Sequence, residues 1–119
     1  MGFVNAKVGF AEIRQSGARR EIEPLVDAGA LYSIILGTLL RELGIQPVEK
    51  LEFEMANGQF IERNVGEARF FFEGRKAVSP VVFGEEGDAA VLGVVALESM
   101  GLEVDPVRKR IRPTRLILY

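Results

Sequence analysis

Leu25-Val26-Asp27-Ala28-Gly29-Ala30 runs two large apolar residues straight into a carboxylate and follows it at once with small residues. Apolar residues next to a Gly-containing turn predict a buried strand that ends abruptly. Such a turn presents one acid to a confined space, while Gly29 and Ala30 leave room for a backbone or a ligand to approach. An equally simple reading keeps Asp27 as a turn residue that hydrogen-bonds its own backbone.

Upstream, Phe3-Val4-Asn5-Ala6-Lys7-Val8-Gly9-Phe10 alternates imperfectly and predicts a first strand. A polar turn at Gln15-Ser16-Gly17-Ala18-Arg19-Arg20 leads into a second strand, Glu21 to Val26. Downstream, Ser33-Ile34-Ile35-Leu36 is a short apolar run, and Thr38 through Leu43 predicts a helix stopped by Gly44. Leu51 to Met55 alternates cleanly, Asn57-Gly58 is the strongest hairpin-tip signal in the chain, and Gln59 to Glu62 returns. Glu67–Phe72 and Ala77–Phe83 predict strands around a turn at Glu73-Gly74, with a polar loop at Glu85-Glu86-Gly87-Asp88. Ala89 to Gly93 predicts a buried strand and Val94 to Met100 a helix closed by Gly101. Leu102–Asp105 and Leu116–Tyr119 are the expected terminal strands, separated by a basic stretch. Strand, turn and helix thus occur twice, since Leu39–Ile45 parallels Ala96–Leu102.

At 119 residues the chain is expected to form one domain over its whole length, 1–119. Its 48% apolar and 27% charged residues suit a globular protein, and a net charge of −2 points to neither nucleic acid nor membrane. The start, Met1-Gly2-Phe3-Val4-Asn5, lacks the basic and apolar regions of a signal peptide, so a cytoplasmic location is expected. The absence of Cys removes disulfides and thiol chemistry; the absence of His removes imidazole bases and ligands. Hydrolysis must then rest on carboxylates, Lys, Tyr or an oxygen-ligated metal. Asp occurs only at 27, 88 and 105, and Asp27 alone lies in an apolar context. No metal or cofactor is expected.

Asp27-x-Gly29-Ala30, with Ser33 following, resembles the active-site loop of retropepsin-like aspartic proteases, whose usual form is Asp-Thr/Ser-Gly-Ala after two apolar residues. Met55-Ala56-Asn57-Gly58-Gln59 looks like the flap hairpin of that family. Val91-Leu92-Gly93 resembles the apolar-apolar-Gly signature before its C-terminal helix, and Ala96 to Pro106 the helix and exit strand of bacterial and archaeal members. The resemblance implies an all-β fold: a small closed barrel of retropepsin type with one or two short helices. It implies an aspartic endopeptidase acting on peptide or protein substrates, without nucleic acid or membrane as a partner. The sequence departs from the family at Ala28, where a hydroxyl residue is usual.

Two neighbouring carboxyls that share one proton can take a proton from water and give one to a carbonyl oxygen. The chain supplies one Asp-x-Gly-Ala, so the resemblance implies a homodimer with one Asp27 from each subunit on the two-fold axis. The apolar Leu116-Ile117-Leu118-Tyr119 and the N-terminal strand are the candidate interface, and Ile34 and Leu92 the candidate apolar wall of the cleft. Ala28 also motivates a reading from another class, a non-catalytic dimerisation or peptide-binding module on the same scaffold. A third reading is a small nucleic-acid-binding barrel that uses the basic stretch Arg108–Arg115.

Overall fold

The computed structural model describes residues 4–14 and 18–119. Phe3 of the expected first strand and Gln15-Ser16-Gly17 of the expected turn lie outside the described residues. Short strands β1 (Val4–Asn5), β2 (Val8–Ala11), β3 (Arg20–Ile22) and β4 (Leu25–Val26) come first. They pair as Val4 with Val26, Asn5 with Leu25, Val8 with Ile22, Gly9 with Glu21 and Phe10 with Arg20. All five pairs share one register, so the four strands are two arms of a single hairpin interrupted at Ala6-Lys7 and Glu23-Pro24. Pro24 has no amide hydrogen to give the ladder, which accounts for the break on its arm.

Beyond the hairpin come β5 (Ser33–Leu36), α1 (Gly37–Glu42), β6 (Glu49–Glu54), β7 (Phe60–Phe72) and β8 (Arg75–Gly84). They are followed by β9 (Val91–Leu92), α2 (Val94–Ser99), β10 (Leu102–Asp105) and β11 (Arg110–Pro113). The main sheet runs β1-β4-β9-β5-β8-β7-β2-β3, with β6 attached to the outer half of β7 and a separate β10-β11 pair. The fold is predominantly β with two short helices, as expected. No ladder joins the outer strands β1 and β3 among the described residues, so the sheet is a curled half-barrel and not a closed ladder. Its ends are tied by the chain itself, because each hairpin arm contributes one segment near either end.

Phe10, Phe70, Ile35, Leu40, Leu92 and Leu102 fill the core, each with at most 2% of its surface exposed. Burying a large apolar side chain contributes about 1.5–3 kcal/mol. Both helices lay one apolar face on this core, through Leu40 in α1 and Ala96 and Leu97 in α2. Each ends at a glycine with positive φ, +83° at Gly44 and +71° at Gly101, and each follows a strand, β5 running directly into α1 and β9 reaching α2 through Gly93.

Three sequence expectations change. The predicted strands at Gln59–Glu62 and Glu67–Phe72 are one strand, β7. The residues between them, Arg63 to Gly66, read as a break, but they hold the point, at Val65, where the strand exchanges β8 for β6 as its principal partner. The last strand is Arg110–Pro113 within the basic stretch, and Leu116–Tyr119 form no strand. Pairing with β10 decides this, because Arg112 Nε lies 2.6 Å from Glu103 Oε2 and Arg112 Nη1 3.2 Å from Asp105 Oδ2. The N-terminal strand is likewise committed within the fold, with Val4 only 5% exposed.

Candidate active site

The loop after β4 exists because of the strand order. β4 and β9 run parallel, and β5 lies antiparallel on the other side of β9. The chain therefore leaves β4 at Asp27, crosses the end of β9 and returns as β5. Four hydrogen bonds fix the crossing. Asp27 N–H donates to the Leu92 carbonyl at 3.1 Å, Val94 N–H to Ala30 at 2.8 Å and Val95 N–H to Leu31 at 3.1 Å. Gly93 N–H donates to Ser33 Oγ at 3.0 Å, and Ser33 is fully buried.

Gly93 is demanded by this crossing. A Cβ there would stand 2.6 Å from the carbonyl carbon of Tyr32 and 2.8 Å from the Leu31 oxygen. These are backbone atoms of the loop that carries the acid, so any side chain at 93 displaces it. Val91-Leu92-Gly93 thus supports the Asp27 loop, but through main-chain groups. The Leu92 side chain is 1% exposed and lies in the core, which removes it from the expected apolar wall. Ile34 is half-buried.

Asp27, Ala28 and Gly29 are exposed. Asp27 Oδ1 accepts the Gly29 amide at 2.8 Å, and Ala30 N–H donates to the Asp27 carbonyl at 3.1 Å. The local turn bond of the simpler reading is therefore present. It occupies one carboxylate oxygen, and among the described residues no cation lies within ion-pair distance of Asp27. The other two aspartates differ. Asp88 takes Arg63 Nε at 2.9 Å and the Glu85 amide at 2.7 Å. The Arg63 hydrogen bond is the main cause that holds its carboxyl below the usual range. Asp105 Oδ1 accepts the amides of Arg108 and Val107 at 3.1 and 3.0 Å, while Arg108 and Arg112 bracket Oδ2. The Arg108 amide leads the causes that lower it. Both are structural acids; Asp27 alone has a carboxylate without a cation.

Met55-Ala56-Asn57-Gly58-Gln59 form the tip of an exposed arm built from β6 and the outer half of β7. Gly58 N–H donates to Met55 at 2.9 Å and Met55 N–H to Gln59 at 2.8 Å, with Gly58 at φ +85°. This is a turn completed by a left-handed glycine, and Asn57 Oδ1 reinforces it by accepting the Gln59 amide at 2.9 Å. The arm meets the Asp27 loop through two residues that the sequence reading did not single out. The Tyr32 and Phe53 rings stand edge to face, with centroids 6.2 Å apart and planes at 81°. Phe53 is legible as an alternating strand residue; its contact with Tyr32 is not, because nothing local couples the two. Leu31 (61% exposed), Met55 (45%) and Phe60 (60%) supply the exposed large apolar side chains of the loop and arm.

Two members of the basic stretch, Arg108 and Arg112, are committed to Asp105. The Glu85–Asp88 loop is likewise tied to Arg63, whose Nη1 lies 3.7 Å from Glu85. Among the described residues no three acids come together in a metal-holding group, and no helix is long and apolar enough to cross a membrane. No protein-family model matches the chain, and no curated protein matches it.

Proposed function

We propose that this chain is one half of a homodimeric aspartic endopeptidase of retropepsin type, with Asp27 of each subunit forming the dyad. The observation that carries the reading is the contrast among the three aspartates. Asp88 and Asp105 are consumed by arginines and amides, whereas Asp27 is exposed at a loop braced by four long-range hydrogen bonds. A lone carboxylate held this firmly and left without a cation suits a role completed by a second copy of itself. The two carboxyls share one proton, so that one activates water and the other protonates the peptide carbonyl. The Met55–Gln59 tips then cover an extended peptide, with Leu31, Met55 and Phe60 favouring apolar substrate side chains. The exposed Leu116–Tyr119 tail offers apolar surface to the partner subunit. Purified Asp27→Asn protein should lose cleavage of a peptide library while keeping its thermal melt; undiminished turnover would sink the assignment.

Ala28 favours a second reading, a non-catalytic peptide-binding or dimerisation module on the same scaffold. Retropepsin-like enzymes use a hydroxyl at this position to bond across the dimer axis, and alanine has none. This reading predicts no cleavage of any library peptide at protein concentrations high enough to force dimerisation.

A further inference from the structure

We propose that the outer face of the first hairpin and the adjoining end of β7 form a docking groove for an acidic, extended polypeptide segment. Two adjoining depressions of about 320 and 700 Å³ share Lys7, Glu21, Phe72 and Glu73 in their walls. The ladder registers set Glu21, Gly9, Phe71 and Lys76 directly opposite one another across β3, β2, β7 and β8. Their neighbours Phe10 and Phe70 point into the core, so by strand alternation this row faces outward. Gly9 lets Phe71 pack close across the row, since a Cβ at 9 would lie 3.4 Å from Phe71 Cβ and 3.6 Å from Phe71 Cδ2. Arg19 lies over the Phe71 ring, its guanidinium carbon 4.3 Å from the centroid.

The charges facing the groove are uneven. Arg75 and Arg112 are committed, the first to the carbonyls of Met100 and Gly101, the second to Glu103 and Asp105. Lys7, Arg19, Lys76, Lys109 and Arg110 have no carboxylate partner among the described residues, and they face two acids, Glu21 and Glu73. Five free cations against two acids is an anomaly on a chain whose net charge is −2. That overall charge and the two interspersed glutamates oppose a polymer with a phosphate at every unit. A peptide with carboxylates on alternate residues meets the cations and can set its intervening side chains against Phe71 and Phe72 in the walls of the depressions. None of the lining residues belongs to the Asp27 loop, the arm tip or the Leu92-Gly93 turn, so the groove stands independently of the peptidase reading.

Fluorescence anisotropy with a fluorescein-labelled peptide of alternating glutamate and alanine tests this on the full chain. Binding should be measurable at about 50 mM salt and weaken by about 300 mM. Lys7→Ala combined with Lys76→Ala should weaken it about tenfold, as expected for two charges at a polar site. Both lysines are exposed and unpaired, so the thermal melt should hold. Gly9→Val supplies the second check: at a backbone conformation open to any residue it presses on Phe71 and reshapes the wall of the smaller depression, and should also weaken binding. Absence of binding, equal affinity in both variants, or tighter binding of an oligothymidylate of matched length would each overturn the proposal.

Discussion

The amide of Gly93 donates to the hydroxyl oxygen of Ser33 at 3.0 Å, joining residues sixty positions apart in a buried contact. Ser33 opens the strand that follows the Asp27 loop, and Gly93 closes the strand beneath it. The bond therefore locks the crossing from inside, where water cannot replace it.

Ser33→Ala should consequently leave the Gly93 amide buried without an acceptor, at a cost of about 1–3 kcal/mol. Urea unfolding reads this as a lower midpoint at unchanged slope. A midpoint equal to that of the parent chain would show that the loop does not depend on this bond.

Gly93→Ala should be at least as damaging, for a steric reason. The added methyl meets Tyr32 backbone at 2.6 Å, and backbone cannot turn aside as a side-chain tip can. Overpacking of this kind costs about 1–3 kcal/mol or more. Amide exchange should quicken first at residues 27–33, and uniform protection there would contradict the account.

Ala28→Thr should strengthen self-association if the Asp27 loops meet on a two-fold axis. Two symmetric hydrogen bonds at about 0.5–1.5 kcal/mol each amount to roughly five- to 150-fold in the dimer constant. Sedimentation velocity over a concentration series measures it, and peptidase activity should rise in step. A variant that self-associates no more strongly than its parent would remove support for a shared axis at this loop.

Acid should weaken the β10-β11 unit through Asp105. Its folded pKa lies below the unfolded one, so between the two values the unfolded chain binds more protons and stability rises with pH. The contribution is complete above the unfolded value, near pH 4, and is lost as pH falls through the folded value. Asp105→Asn should therefore differ most from the parent near neutral pH, and the gap should narrow as the pH is lowered below about 4. A gap that stays constant from neutral to strongly acidic pH would show that the charge on Asp105 contributes nothing.

Local chemistry made much of this fold legible. Asn57-Gly58 and Glu73-Gly74 mark turns because the backbone there needs left-handed residues, and φ is +85° at Gly58, +46° at Glu73 and +84° at Gly74. Gly44 and Gly101 stop their helices for the same reason. Of the aspartates, the apolar lead sets Asp27 apart in sequence, and the other two prove to be ion-paired. Long-range pairing was not legible. Arg112 reads as part of a solvated basic run until Glu103 and Asp105 lie opposite it, and Leu116–Tyr119 read as a strand although among the described residues no strand pairs with them. The Ser33–Gly93 bond depends on strand order, which residue periodicity does not encode.

The constant register of the first hairpin has one more consequence. The same alignment sets Phe10 against Arg20 at one end and Val26 against Val4 at the other, on either side of the Pro24 break. Removing or adding one residue in a single arm within the ladder would offset the segments of the two arms that lie beyond it. Because the side-chain period is two, the offset would also turn core residues such as Phe10 or Val26 toward solvent. The position of Asp27 is thus measured out from Phe10, so this stretch should tolerate substitution far better than any change in length.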